Sequence, residues 1–210
     1  VGPTAIGKSS LALVLCQTFN GEIISADSRQ VYRYMDIGTA KPIQEERSLI
    51  SHHLIDIVDP DEDFNLALYQ SQALETVNDI KHRKKTVFLV GGSGLYVWAL
   101  LEGWRIPAVP PDPALRQELE SRAKIEGGEQ LYNQLKQTDP VTAERIDPRN
   151  VRRVIRALEV SLQGAPFSQL QVKHPYIDSV IIGLNTDRDE LYRRIDPPFV
   201  SPHANQEVHR

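Results

Sequence analysis

Gly2-Pro3-Thr4-Ala5-Ile6-Gly7-Lys8-Ser9 has the spacing G-x-x-x-x-G-K-[ST], and the apolar run Leu11-Ala12-Leu13-Val14-Leu15 follows it directly. In that context the glycine loop opens a helix and reads as a phosphate-binding loop. Gly2 and Gly7 let the chain turn back so that successive backbone N–H groups face one concavity. The helix behind adds its unsatisfied N–H groups and the positive end of its dipole. Lys8 supplies a mobile positive charge, and the Ser9 hydroxyl is placed to ligate Mg²⁺. The bland alternative, a glycine-rich turn capping an ordinary helix, is disfavoured by the helical run directly behind the loop. The stretch Gly2, Pro3, Thr4, Ala5, Ile6, Gly7, Lys8 and Ser9 is therefore read as a diphosphate or triphosphate site. Such a loop normally hangs from a buried strand, yet only Val1 precedes it, so the first strand is expected to be missing.

Outward from the loop, strands and helices alternate. Glu22-Ile23-Ile24-Ser25-Ala26 and Leu54-Ile55-Asp56-Ile57-Val58 read as strands. Thr86-Val87-Phe88-Leu89-Val90 is the clearest, a continuous β-prone run of the kind buried on both faces. Amphipathic helices are predicted from about Leu66 to Arg83 and from Leu95 to Leu101, and a last strand at Val180-Ile181-Ile182-Gly183-Leu184, with a helix behind Arg188. Alternation of this kind implies an α/β fold, a P-loop NTPase-like parallel sheet flanked by helices. The carboxyl ends of parallel strands share one rim, where ligands bind. The phosphate loop, Asp27-Ser28 and Gly91-Gly92-Ser93-Gly94 should converge there.

The proline-rich connector Ile106-Pro107-Ala108-Val109-Pro110-Pro111-Asp112-Pro113 marks a change of composition. A polar helical pattern follows from Ala114 to about Ala143. The organisation expected is a core over 1–108, a small helical insertion over 109–147, and a return to the core over 148–210 that ends in an atypical, truncated tail. In the helix predicted from Asn150 to Leu162, Arg149, Arg152, Arg153 and Arg156 fall on one side. Val151, Val154, Ile155 and Leu158 fall on the other.

The totals bound the class. The chain has 210 residues, 40% of them hydrophobic and 25% charged, enough for a full core in an ordinary globular protein. Its one cysteine, Cys16, allows no intrachain disulfide and fits a reducing compartment. No apolar run approaches the ~20 residues of a membrane span, and a cytoplasmic location with no membrane partner is expected. A net charge of −4 argues against bulk nucleic-acid coating but permits a local basic face.

Among polar residues, Asp27 is the carboxylate best placed for chemistry, either holding Mg²⁺ through water or accepting a proton from a substrate; the bland alternative is an Asp capping a turn, which the shared rim disfavours. Asp59 is the weaker rival, since Asp-Pro is common turn chemistry. A later apolar strand in hydrolytic P-loop proteins commonly ends in a metal-holding Asp. Here it ends in Gly91-Gly92, which suits close approach by a bulky substrate or, equally, a plain tight turn. The arginine stripe suits a polyanion or, more blandly, a solvated helix face. Lys81-His82-Arg83-Lys84-Lys85 reads as a helix terminus complementing its dipole. His52-His53 lack partners at zinc spacing.

These motifs together resemble the tRNA dimethylallyltransferases, or IPP transferases. The segments that carry the likeness are the loop itself, Ile24-Ser25-Ala26-Asp27-Ser28-Arg29-Gln30-Val31-Tyr32, and Met35-Asp36-Ile37-Gly38-Thr39-Ala40-Lys41-Pro42. They continue with His53-Leu54-Ile55-Asp56-Ile57, Val90-Gly91-Gly92-Ser93-Gly94-Leu95-Tyr96 and Arg156-Ala157-Leu158-Glu159-Val160, and the likeness runs to about Ile195. Beyond it, Asp196-Pro197-Pro198-Phe199-Val200-Ser201-Pro202 leaves the family's pattern. The resemblance implies Mg²⁺-dependent transfer of a dimethylallyl group from dimethylallyl diphosphate to N6 of the adenosine beside the anticodon. It implies that the loop, with Lys8 and Ser9, holds the diphosphate, and that Asp27 is the base or acceptor for the amine. It implies tRNA contacts from Asp27, Ser28, Arg29, Gln30, Ser93, Arg116, Arg152, Arg153, Val154, Ile155 and Arg156, with the insertion against the anticodon stem-loop. A monomer is expected. The rival readings are an adenine-nucleotide isopentenyltransferase, a small-molecule kinase using ATP at the same loop, and a non-catalytic nucleotide- or RNA-binding module.

Overall fold

The computed structural model describes residues 1–106, 112–164, 166–170, 173–175 and 177–195. It comprises two compact units: Val1–Leu100 joined by the chain from Asp178 onward, and Leu101–Ile177.

The first unit is built on a parallel sheet. β1 (Gly21–Ser25), buried along its whole length, lies between β2 (His52–His53) and β3 (Thr86–Val90), in the order β2-β1-β3. The register pairs Ile23 with His52 on one side and with Phe88 on the other. α1 (Lys8–Thr18) packs Ala12 and Cys16 against Ile23 and Ile50, with Phe88 and Val90 beside them. α2 (Gln44–Leu49) leads into β2. α3 (Leu66–His82) is capped by the Asn65 side chain, which accepts the N–H groups of Ala67 and Leu68. Its buried residues Tyr69, Ala73, Val77 and Ile80 recur at the three- and four-residue spacing of one helix face. α4 (Gly94–Leu101) follows β3 after a single turn.

Two strands differ from expectation. At 54–58 no strand forms, because Leu54 (φ 60°) and Asp56 (φ 57°) adopt left-handed backbone that a strand cannot continue through. β2 is confined to the two histidines before them, and Val58 makes only an isolated parallel bridge with Tyr32. No strand is assigned at 180–184 either, but the chain there lies alongside residue 1. The Val1 amine donates to Ile182 O at 2.8 Å, and the Leu184 N–H donates to Val1 O at 2.9 Å. That is the slanted pairing of a parallel ladder with Val1 opposite Gly183. Gly2 continues the close approach, since a Cβ there would lie 2.7 Å from Leu184 O.

The second unit is helical: α5 (Pro113–Glu126), α6 (Gly128–Thr138), α7 (Pro140–Arg145), α8 (Val151–Leu162) and α9 (Phe167–Leu170). Asp112 and Asp139 cap α5 and α7, each followed by proline in the first turn, where no N–H is needed. The core joins Leu119 of α5, Leu131 and Leu135 of α6, Ala143 of α7, and Val154, Ile155, Ala157 and Leu158 of α8. The helical unit is thus wider than the 109–147 expected. α8 buries its apolar face among α5 and α6, so the chain does not rejoin the first unit at 148 but at Asp178. α10 (Arg188–Ile195) belongs to the first unit. Residues 107–111 of the proline-rich connector and the 196–210 tail lie outside the described residues.

Candidate active site

The loop between Val1 and α1 turns through left-handed backbone at Ala5 (φ 61°) and Gly7 (φ 95°), the latter forming the N-cap of α1. Lys8 folds back over it, its Nζ donating to Gly2 O at 3.0 Å and Pro3 O at 2.7 Å. Burial lowers the Lys8 pKa, and the charge of Asp27 opposes that shift. Loop lysine and strand-end carboxylate therefore feel one another electrostatically. Ser9 is exposed in the first turn of α1, and its hydroxyl has no hydrogen-bond partner among the described residues.

Asp27 stands on a turn held from both sides. The Ala26 N–H donates to Val90 O at 2.7 Å, and the Ser93 N–H donates to Ala26 O at 3.0 Å. The Ser28 N–H donates to Ser93 Oγ at 2.9 Å. Gly91 makes this approach possible: a Cβ there would lie 2.1 Å from Ala26 O. Asp27 itself is half-buried, with Oδ1 accepting the Arg29 N–H at 2.9 Å. Its Oδ2 has no partner among the described residues. The turns after β1 and β3 thus converge as the parallel topology requires. Beneath them Tyr69 and Tyr96 stack with ring centroids 3.8 Å apart, and Tyr69 OH donates to Ser25 O at 3.1 Å. Burial pushes both phenols up, and at Tyr96 the neighbouring Tyr32 and Asp27 push further. These two tyrosines form a wall that reading for charged groups missed. The Tyr96 position in the quoted Val90–Tyr96 segment was its available signal.

Gln30, expected as an RNA contact, is an internal brace. Its Oε1 accepts from Ser25 Oγ at 2.8 Å, and its Nε2 donates to Thr39 O and Ala40 O at 3.1 and 2.9 Å. Lys41 binds Tyr32 O, Asp36 and Asp56 at 2.6–2.8 Å, and Arg47 takes the other Asp56 oxygen at 2.8 Å. This fastens the 32–42 loop to the 54–58 segment. Arg29 is exposed, whereas Asp59 pairs with Arg33 at 3.1 Å.

The basic run has a specific partner rather than only a helix dipole. Glu22 on β1, 2% exposed, is clamped by Arg83, by Lys85 at 2.6 Å and by His53 at 2.7 Å. The hydrogen bonds from Arg83, aided by Lys85 and His53 and opposed by burial, hold its carboxyl far below the ordinary range.

The remaining expected site residues lie in the helical unit. Arg152 and Arg153 are exposed on α8, whereas Arg149 pairs with Asp147 at 2.9 Å. Val154 and Ile155 are 0% and 4% exposed and pack in the core. Their side chains face the helical core beneath the arginine face. Arg116 and Arg156 both bond to the buried Glu159 carboxylate.

A glycine loop closing on the N-terminus of α1 beside a parallel sheet defines a P-loop NTPase-like fold. A family model described as IPP transferase matches residues 30–199, and the chain belongs to that family. It is 55% identical over 198 residues to the tRNA dimethylallyltransferase of Roseiflexus castenholzii, covering 93% of this chain and 65% of the relative. It is 52% identical to that of Thermomicrobium roseum, with 93% and 60% covered. Among solved structures, the tRNA isopentenylpyrophosphate transferase of Bacillus halodurans matches with a TM-score of 0.59 at 44% identity, covering 93% of this chain and 61% of that one. A eukaryotic dimethylallyltransferase acting on tRNA matches with a TM-score of 0.78 at 30% identity, covering 93% and 49%. The chain therefore spans between about half and two thirds of the length of these relatives. No helix among the described residues is long and apolar enough to cross a membrane.

Proposed function

We propose that the chain transfers a dimethylallyl group from dimethylallyl diphosphate to N6 of the adenosine adjacent to the anticodon of tRNA, releasing diphosphate. The observation that supports this reading is the Asp27 turn, tied to the turn after β3 by the Ser28 N–H to Ser93 Oγ and the Ser93 N–H to Ala26 O, with the carboxylate charge acting on Lys8 of the loop. Adenine N6 is a poor nucleophile because its lone pair is delocalised into the ring. A carboxylate accepting its proton as the N–C bond forms contributes about 10²–10⁴-fold. Asp27 Oδ2 is the acceptor in this scheme, with Oδ1 held by the Arg29 N–H. As the allylic C–O bond breaks, negative charge develops on the diphosphate. The N–H groups of the loop and of the first turn of α1 face that charge, and Lys8 leaves its two carbonyls to meet it.

Ser9, exposed in the first turn of α1 with its hydroxyl unpartnered among the described residues, would hold Mg²⁺, and the ion would supply further neutralisation of the leaving group. The adenine must leave its stack to reach Asp27, at a cost of a few kcal/mol. The tRNA anticodon stem-loop is the macromolecular partner, with Ser28, Arg29, Ser93, Arg152 and Arg153 offering surface to it. We place the protein in the cytoplasm as a monomer.

Incubation with tRNA and labelled dimethylallyl diphosphate, wild type beside Asp27→Ala, tests the reading. Label should enter tRNA with the wild type only. Labelling of free adenine nucleotide in preference to tRNA would assign the chain to the nucleotide prenyltransferases. Phosphate transfer from ATP would make it a kinase, and equal labelling by the variant would remove Asp27 from the reaction.

A further inference from the structure

Glu159 is 0% exposed, yet it is an ionisable side chain in the middle of a helix whose neighbours Ala157, Leu158 and Val160 are core. Burying a carboxylate is costly unless it is paired and hydrogen-bonded. Here three donor nitrogens from two parts of the chain make four hydrogen bonds to it. Oε1 accepts from the Asp112 backbone at 2.7 Å and from Arg116 Nη2 at 3.2 Å. Oε2 accepts from Arg116 Nη2 at 2.8 Å and from Arg156 Nη1 at 2.9 Å. Burial pushes the carboxyl up, but these donors outweigh it and keep Glu159 below the ordinary carboxylate range.

The arginines are not buried with it. Their side chains are 40% and 35% exposed, so both stay partly open to solvent while the carboxylate that fixes them is buried. Arg116 is held through Nη2 alone among the described residues, leaving Nη1 and Nε available. Two guanidinium groups on different helices would ordinarily repel and wander. A shared carboxylate beneath them holds them side by side, as required to grip one phosphodiester with little loss of side-chain entropy. Exposed Arg152 and Arg153 on the same helix extend the positive face.

We infer that Glu159 is a positioning residue that fastens Arg116 and Arg156 into a two-arginine clamp for a backbone phosphate of the RNA substrate. This rests on the tRNA reading above and adds to it the group that presents the clamp. A neutral glutamine has one acceptor oxygen where the carboxylate has two, and its NH₂ would face an arginine donor to donor.

The test is binding of an anticodon stem-loop RNA by the full chain across a salt series, with wild type, Glu159→Gln, Arg116→Gln and the double variant. Helix content is followed by circular dichroism. Simple electrostatics predicts tighter RNA binding by Glu159→Gln, because an anion has been removed. Positioning predicts the opposite: binding weakened five- to tenfold. The slope of log K against log[salt] should also be shallower by roughly 0.7–0.9 for the lost phosphate contact. The double variant should lose less than the sum of the two single losses, as for residues acting through one contact. Unchanged or tighter binding by Glu159→Gln, or additive losses in the double variant, would overturn the inference while leaving the tRNA reading intact. No RNA binding by the wild type would remove both. Should Glu159→Gln lose its helix content, Arg116→Gln decides: wild-type affinity and slope from a folded Arg116→Gln protein sink the clamp.

Discussion

Ser28 donates its backbone N–H to the Ser93 hydroxyl at 2.9 Å, joining turns 65 residues apart in the chain. With the Ser93 N–H returning to Ala26 O at 3.0 Å, the residues on either side of Asp27 are both tied to the turn after β3. The Asp27 carboxylate is thereby presented by a rigid support, and in the proposed reaction small errors in its placement are costly in rate. Ser93→Ala leaves the half-buried Ser28 N–H without its acceptor. It should cost about 1 kcal/mol of stability and lower the rate of prenyl transfer about tenfold at saturating dimethylallyl diphosphate. Ser93→Thr keeps the hydroxyl and should recover most of the rate. Initial rates beside thermal melts check this, and a full-rate Ser93→Ala enzyme would contradict it.

Gly91 and Gly92 are adjacent and of opposite tolerance. A Cβ at Gly91 would sit 2.1 Å from Ala26 O and 2.3 Å from Ala26 C, whereas one at Gly92 meets nothing within 4 Å. The obstacle at Gly91 is backbone that is itself bonded to Val90, so it cannot rotate away. Gly91→Ala should destabilise by more than about 2 kcal/mol, while Gly92→Ala should stay within about 0.5 kcal/mol of wild type. Urea unfolding of the two variants measures this directly. Equal midpoints would mean that the β1–β3 rim is looser than the structure has it.

β1, β3, α3 and α8 were legible because each carries its own periodicity or apolar run, a local signal that tertiary contacts reinforce. The segment from Leu54 to Val58 is as β-prone as β3, yet Asp56 is drawn out of any strand by Lys41 and Arg47. Those partners lie 15 and 9 residues away and cannot be weighed by local pattern. Glu22 shows the same limit at longer range. The sequence shows an acid in a strand and a basic run after a helix, and only the parallel register of β1 with β3 brings them together. Val154 and Ile155 are the reverse case. The helical wheel had already placed them on the apolar side, and the resemblance nevertheless put them among the RNA contacts. Their burial follows the wheel.

Gln30 distinguishes bracing from direct recognition. Its amide makes three hydrogen bonds, one to the end of β1 and two to the backbone at Thr39 and Ala40. Gln30→Ala leaves these carbonyls without the donor and should cost about 1–3 kcal/mol. Amide exchange should accelerate in the 32–42 loop. Gln30→Glu should be no better, since it sets a carboxylate against two carbonyl oxygens. Hydrogen exchange by mass spectrometry gives the answer. Weaker RNA binding by Gln30→Ala with unchanged loop exchange would make the residue a contact instead of a brace.

Glu22 links stability to pH, and the sign follows from its depressed folded pKa. An unfolded glutamate takes up its proton near pH ~4.3, whereas the clamped one resists protonation until far lower. Between those values the unfolded chain binds the proton that the native chain refuses, so stability falls as the pH is lowered. The contribution is fully present above about pH 5 and lost progressively on acidification. Glu22→Gln removes this dependence and leaves Arg83, Lys85 and His53 without their shared anion. Its cost at neutral pH should be about 2–3 kcal/mol, below the 3–5 of a wholly buried pair, because Arg83 and Lys85 are 39% and 35% exposed and water screens part of the attraction. Asp56 and Glu159 are also held below the ordinary carboxylate range, so the variant should keep a residual acid slope. Urea midpoints at pH 7 and pH 4 therefore give a larger gap between wild type and variant at pH 7. A gap that is constant across this range would show that Glu22 is protonated alike in both states and that the clamp carries no pH dependence.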